Sequence, residues 1–231
     1  LQDTNVVASR VRFTGGLPDR NAYRRFKVKT VEGQDDFASM REVVGRALTR
    51  GAKEDDLPDL VLIEEVRHGD ARGFFAETFR QTAFREGGVP DVFVQDNHAR
   101  STRGVLRGLH YQLPPRAQGK LVRVVRGEVY DVAVDLRKGS PGYGRWAGIH
   151  LSGDEGRLLW IPPGFAHGYL VLSETVDLTY KVTAEFDPRL DRGIRWDDSD
   201  IGVEWPALEP VLSARDQALP SLSEADNPFV G

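Results

Sequence analysis

What most limits the folds open to this chain is a succession of short strand-like runs at regular spacing, several of them separated by glycine or proline turns. From about Leu57 the candidates are Val61–Val66, Phe74–Phe79, Val92–Gln95, Lys120–Val125, Glu128–Leu136, Trp146–Leu151, Arg157–Ile161, His167–Leu172 and Val176–Val182. Arg126-Gly127, Lys138–Gly142 and Pro162–Gly164 lie between them as turn signals. In Glu128–Leu136, Tyr130, Val132, Val134 and Leu136 face one way while Asp131, Ala133 and Asp135 face the other, the period-two pattern of a strand. Only Thr82–Gly87 offers a short helix in this part of the chain. Without long crossover helices, many short strands predict an all-β architecture: an antiparallel barrel or double-sheet jelly roll. The proline-punctuated segment 187–231 shows little periodicity and is expected to wrap that barrel.

At 231 residues the chain has room for one large β domain or two small ones. A net charge of −4 spread over both signs speaks against a nucleic-acid partner, which would call for a basic patch. The absence of cysteine excludes disulfides and thiolate metal sites. No run approaches the roughly 18 apolar residues of a membrane span. Neither a basic n-region nor an apolar h-region opens the chain, so the reading is cytoplasmic, with no membrane partner.

Residues 1–55 differ in texture. Val6–Phe13 and Arg25–Val31 read as strands joined by the Gly15–Asp19 loop. Phe37, Met40, Val44 and Leu48 then recur at helical spacing behind Asp35 and Asp36, giving β-β-α. Asn5–Ser9, Tyr23–Lys29, Asp35–Val43 and Leu57–Ile63 together resemble the RNase H-like endonuclease domain found in the C protein of excinuclease ABC. The resemblance implies metal-binding aspartates on a strand before this fragment and directly after Ile63. Here Glu64-Glu65-Val66 follows Ile63. A two-metal nuclease needs acidic ligands held together, so residues 1–55 are expected to be a non-catalytic fragment.

The chemistry is concentrated in Gly104–Lys120, which gathers Arg107, His110, Gln112, Gln118 and Lys120 into one run. Such a polar set is costly inside a barrel unless each group finds a partner, so it reads as a site. His110-Tyr-Gln112 and Pro162–His167 resemble the two motifs of the cupins. By that resemblance Gln112 stands in place of a metal-ligating histidine and Lys120 in place of a glutamate, which implies no metal and no cofactor. Acid/base equipment remains. Histidine titrates near neutral pH and suits removal of a proton beside a carbonyl. Lys120 lies close enough in sequence to stabilise the resulting enolate oxygen.

Residues 57–220 resemble the dTDP-4-dehydrorhamnose 3,5-epimerase family nearly end to end. The matching runs include Gly69–Glu77, Val94–His98, Leu106–Gln112, Gln118–Arg123, Gly127–Arg137, Ile161–Gly168, Leu178–Lys181 and Leu212–Asp216. The resemblance implies a cupin-type jelly roll over residues 56–231 and a homodimer acting on a dTDP-4-keto-6-deoxyhexose. It implies His110 as the base at C3 and C5, oriented by Asp216, and Tyr180 as the acid on the opposite face. Lys120 and His167 would sit near the C4 oxygen or the sugar hydroxyls. Arg72, Phe75, Glu77, Gln95, Asn97 and Arg107 would hold the nucleotide diphosphate, with Gln112 completing the binding set. The family's tyrosine a few residues after the acid is Phe186 here. Two alternatives stay open: a 3-epimerase of another dTDP-4-keto-6-deoxy sugar, and a catalytically inactive cupin that binds nucleotide sugars. Tyr130, Phe74 and Trp160 are expected in the core.

Overall fold

Period-two patterning governs the backbone from Val61 onward. The computed structural model describes residues 57, 59–89 and 92–231, together with the backbone of 6–9 and 24–28. In chain order the strands are β1 (Val6–Ser9), β2 (Arg24–Val28), β3 (Val61–Glu64), β4 (Arg67–Asp70), β5 (Gly73–Ala76), β6 (Gln95–Thr102), β7 (Leu106–Gln112), β8 (Lys120–Arg126), β9 (Glu128–Asp135), β10 (Trp146–Ser152), β11 (Arg157–Ile161), β12 (Phe165–Val171), β13 (Thr175–Val182) and β14 (Asp191–Gly193). A helix α1 (Gln81–Glu86) and a single turn α2 (Ala214–Gln217) complete the described elements.

Two sheets face each other as a jelly roll. One runs β1-β2-β3-β11-β8-β13-β6 and the other β10-β9-β12-β7-β14, while β4 and β5 form a separate hairpin. Pairing is antiparallel except between β2 and β3, where Arg24–Lys27 run parallel to Val61–Glu64. The first two strands therefore continue the barrel's larger sheet. The helix expected over 34–48 lies outside the described residues.

Three apolar layers follow from the alternation. Between the sheets, Leu62, Val122, Val124, Leu159 and Leu178 meet Val129, Ala133, Ile149, Phe165 and Val171. On the outer face of the larger sheet, Val61, Ile63, Leu121, Leu158 and Trp160 receive Ala83 and Phe84 from α1. Across the outer face of the smaller sheet, the C-terminal segment lays Ile194, Ile201 and Phe229 over Leu106, Leu109, Tyr130, Val132 and Val134. Each such buried side chain contributes about 1.5–3 kcal/mol, so the expected wrapping tail is an integral layer of the fold. The carboxamide nitrogen of Asn227 donates to the Leu136 carbonyl at 2.8 Å and clips its end in place.

Tyr130 and Trp160 are buried as expected, but Phe74 is not. It stands on the β4–β5 hairpin, 57% exposed, with the Arg67 guanidinium 4.5 Å from its ring centroid. A two-stranded hairpin has no second layer to bury both rings. The run Gly104–Lys120 also differs from expectation, because most of its first half is strand β7. A bulge hides the alternation: His110 pairs with His167 and Arg107 with Tyr169, so three steps on β7 match two on β12. The extra residue puts Arg107 and His110 on the same face. Gly108 sits there at φ +136°, and a Cβ on it would fall 2.5 Å from the Gly168 Cα. Only glycine fits that approach.

Candidate active site

Register places the predicted residues on facing walls. On the larger sheet, Lys120 is opposite Ile161 and Val182, and Asn97 is opposite Tyr180, all on the side that packs the interior. On the smaller sheet, His110 is opposite His167 and His167 is opposite Ala133, again on the interior side. Gln95, Asn97, Tyr180 and Lys120 thus line one wall of the barrel, and Arg107, His110, Gln112 and His167 the other.

His110 Nε2 lies 2.6 Å from Asp216 Oδ1. Asp216 sits in the short helix α2. Ser213 caps that helix, its hydroxyl accepting from the Asp216 amide at 3.1 Å and donating to Asp216 Oδ2 at 2.9 Å. Both carboxylate oxygens are therefore committed, and the carboxylate cannot swing away from the imidazole. Burial works to raise the Asp216 carboxyl, but the hydrogen bonds from His110 and Ser213 outweigh it and leave it below the usual carboxylate range. An ionised partner fixes the histidine tautomer and leaves the other ring nitrogen free to take a proton. The His110 side chain is 26% exposed, so that nitrogen can reach a ligand.

Lys120 is buried, and its ammonium donates to the His110 carbonyl at 3.2 Å. Burial lowers its pKa to about 8, partly offset by the carboxylates of Asp191 and Asp131, with Arg215 acting in the same direction as burial. Tyr180 is half-buried. Desolvation raises its phenol, with Arg107 opposing and Asp191 reinforcing, so it holds its proton near neutral pH.

His167 is buried, with Nε2 at 2.9 and 3.0 Å from the two oxygens of Asp131, which is itself buried. Sequence reasoning missed Asp131 as a site-facing group. The signal was there, in a carboxylate on the apolar-poor side of the Glu128–Leu136 alternation. Ser101 was missed as well; its hydroxyl accepts from Arg107 Nε at 3.1 Å. An open depression of about 600 Å³ on this side is lined by Arg100, Ser101, Thr102, Arg107 and Arg126.

Gln112 is spent on the backbone. Its amide nitrogen donates to the carbonyls of Arg116 and Glu185 at 2.5 and 3.0 Å, and its oxygen accepts from the Asp187 amide at 2.8 Å. Gln95 donates to Asn97 at 2.8 Å and accepts from the Phe186 amide at 2.9 Å. The remaining predicted residues belong to the hairpin. Arg72 bonds Asp70 within the turn and is 89% exposed, Phe75 is 72% exposed, and Glu77 pairs with Arg80 at 3.1 Å. Among the described residues, no group of three or more His, Cys, Asp or Glu side chains is placed to hold a metal ion.

A jelly roll with an aspartate-oriented imidazole on one wall and a lysine and a phenol on the other defines a proton-transfer site of the isomerase kind. Comparison with known proteins gives the family. The model of the dTDP-4-dehydrorhamnose 3,5-epimerases matches residues 54–224, and the chain belongs to that family. The dTDP-4-dehydrorhamnose 3,5-epimerase of Shigella flexneri is 54% identical over 162 residues, 70% of this chain and 90% of that protein. The crystal structure of a dTDP-6-deoxy-D-glucose-3,5-epimerase from Legionella pneumophila, in complex with dTDP-4-keto-L-rhamnose, is 44% identical with a TM-score of 0.73. It covers 80% of this chain and 98% of its own. A 3′-monoepimerase from Streptomyces bikiniensis in complex with dTDP-quinovose is 35% identical with a TM-score of 0.67, covering 71% of this chain and 84% of its own. A second model, the UvrC RNase H endonuclease domain, matches residues 1–64. The two matches overlap over residues 54–64, which include β3. No helix among the described residues is long and apolar enough to cross a membrane.

Proposed function

We propose that the chain is a dTDP-4-dehydrorhamnose 3,5-epimerase, inverting C3 and C5 of a dTDP-4-keto-6-deoxyhexose. The observation that carries the reading is the 2.6 Å bond between His110 and an Asp216 immobilised by Ser213. His110 removes the proton beside the C4 ketone. The imidazolium that forms is stabilised by Asp216, and the enolate oxygen by the buried Lys120 ammonium. Tyr180, on the opposite wall, returns a proton to the other face. The same events then repeat at the second carbon. Asp131 holds His167 in place near the C4 oxygen or a sugar hydroxyl. Arg107, beside the arginine-lined depression, takes the diphosphate, with Gln95 and Asn97 nearby; forked guanidinium donors suit phosphate oxygens.

In this reading residues 56–231 carry the activity, and residues 1–55 are a non-catalytic extension with no nucleic-acid partner. The protein works in the cytoplasm as a homodimer. The dimer is supported by the β4–β5 hairpin, whose Phe74 and Phe75 are exposed while Arg72 and Glu77 are engaged only locally. Two bare phenylalanines on a hairpin favour a covering partner, and a second copy's site is the surface on which Arg72, Phe75 and Glu77 would serve.

The test is incubation with dTDP-4-keto-6-deoxyglucose in D2O, followed by NMR. Deuterium at C3 and C5 is expected. Label at C3 alone would favour the monoepimerase reading, which the likeness to the Streptomyces bikiniensis enzyme supports. No label at either carbon would leave a binding protein.

A further inference from the structure

One buried polar atom on the wall that carries His110 has no role in the scheme above. Tyr169 is 5% exposed, and its hydroxyl is shut away from solvent without a hydrogen-bond partner among the described residues. Tyr169 follows His167 by two positions on β12, so both side chains point into the barrel, their ring centroids 6.3 Å apart. Across the ladders its neighbours are Arg107 on β7 and Asp131 on β9. The bulge that presses Gly108 against Gly168 is what brings Arg107 level with it. Ser101 faces the phenol from the larger sheet. Its hydroxyl accepts from Arg107 Nε at 3.1 Å and closes no hydrogen bond with Tyr169. A buried hydroxyl left unpaired costs stability, and inside a site it marks a bond kept for a ligand. Burial raises the phenol more than Arg107 and Ser101 lower it, so near neutral pH it is a donor.

The wall offers two rows of side chains, His110 with His167 and then Arg107 with Tyr169. The rows lie two residues apart on β12, roughly 6.5 Å, which is close to the span of a pyranose ring from its C4 oxygen to the phosphorus on C1. A nucleotide sugar whose C4 ketone meets the histidines therefore lays its sugar-linked phosphate beside Arg107 and the free phenol. Phosphate oxygens only accept, and a neutral donor held next to a guanidinium suits them. We infer that Tyr169 is a substrate-binding residue: its hydroxyl donates to the sugar-linked phosphate of the diphosphate that Arg107 holds. The inference rests on the proposed epimerase reading for the orientation of the ligand.

Tyr169→Phe removes the hydroxyl and keeps the ring. Calorimetric titration of the full chain with dTDP should show Kd raised by roughly 10–100-fold, the worth of a hydrogen bond to a charged group. Inorganic pyrophosphate should lose a like factor, while deoxythymidine should bind as it does to the parent. In turnover the loss should fall on KM rather than kcat, because the bond is made to substrate and transition state alike. The variant's Tm should not drop, since no bond within the protein is lost. Unchanged affinity for dTDP and pyrophosphate overturns the inference, and so does an equal loss for deoxythymidine, which would mean a disturbed pocket. If Tyr169→Phe does not fold, the 13Cζ signal of Tyr169 in the parent decides. It should shift on adding dTDP or pyrophosphate and not on adding deoxythymidine, and no shift overturns the inference. A parent that shows this binding pattern but no exchange at C3 or C5 would sink the epimerase reading and leave Tyr169 standing. Exchange in the parent with parent-like dTDP affinity in Tyr169→Phe would do the reverse.

Discussion

Two histidine–aspartate pairs line the interior of the barrel, and they differ in where the carboxylate comes from and in how far the ring is exposed. In the His110 pair the carboxylate arrives from the far C-terminal end of the chain, on a capped helical turn, and the imidazole keeps 26% of its side-chain surface open. In the His167 pair the carboxylate comes from the neighbouring strand, and the ring is 7% exposed. Both Asp131 oxygens lie within 3.0 Å of one nitrogen. A proton shuttle needs one ring nitrogen held and the other reachable. A ring that only holds its place against a ligand needs to be fixed and dry. In the proposed mechanism, their exposures of 26% and 7% suit the two histidines to these different tasks.

The comparison can be broken hardest at His110. His110→Ala should lower deuterium exchange at both carbons by roughly 10²–10⁴-fold, the value of a positioned general base, with little change in Tm because the ring is partly solvated. Full exchange in that variant would end the base assignment. Asp216→Asn should come next, with kcat down by about 10²-fold or more from loss of the tautomer-fixing carboxylate, read from steady-state kinetics. Asp131→Asn should invert the balance. Leaving the buried His167 with a mismatched partner costs about 1–3 kcal/mol, seen as a lower denaturation midpoint, with a smaller loss of rate than Asp216→Asn. If the two aspartate variants show the same ratio of rate loss to stability loss, exposure is not what separates the pairs.

The mildest test is pH. Lys120 is charged below about 8 and neutral above it, so activity that needs the cation should persist on the acid side and decline through that value. Stability runs the other way. The unfolded lysine, near 10.4, binds its proton more tightly than the folded one. Folding is therefore penalised while the folded Lys120 is charged, and the penalty fades as pH rises from about 8 toward 10.4. A kcat/KM profile with no alkaline limb near 8 would remove Lys120 from the chemistry.

Legibility differs by region for physical reasons. Strands β8 to β13 can be read from their short apolar runs, because most are covered by apolar layers on both faces, and from the glycine and proline turns between many of them. β7 cannot, since the bulge at Gly108 breaks the period and places Arg107 and His110, three residues apart, on one face. Pattern alone expects a strand at Val92–Gln95, but β6 begins at Gln95 and runs to Thr102, a stretch polar at nearly every position that pairing with β13 makes a strand. Resemblance points to Asp216, the Glu128–Leu136 alternation flags Asp131, and Ser213 stands as a capping serine three residues before Asp216, but no local pattern says which histidine each carboxylate meets. Most such groups join a site only through partners tens of residues or more away, and local pattern carries no record of them.

The amino-acid order by itself determined an all-β chain, its turn positions, a polar run rich in acid/base groups, and an N-terminal segment of different texture. Those properties depend on side chains within a few residues of each other. Tertiary structure alone decided which histidine stays wet, which carboxylate meets it, and how far Lys120 is desolvated. These are set by through-space burial and charge, which arise only when the two sheets close and the C-terminal segment returns across them.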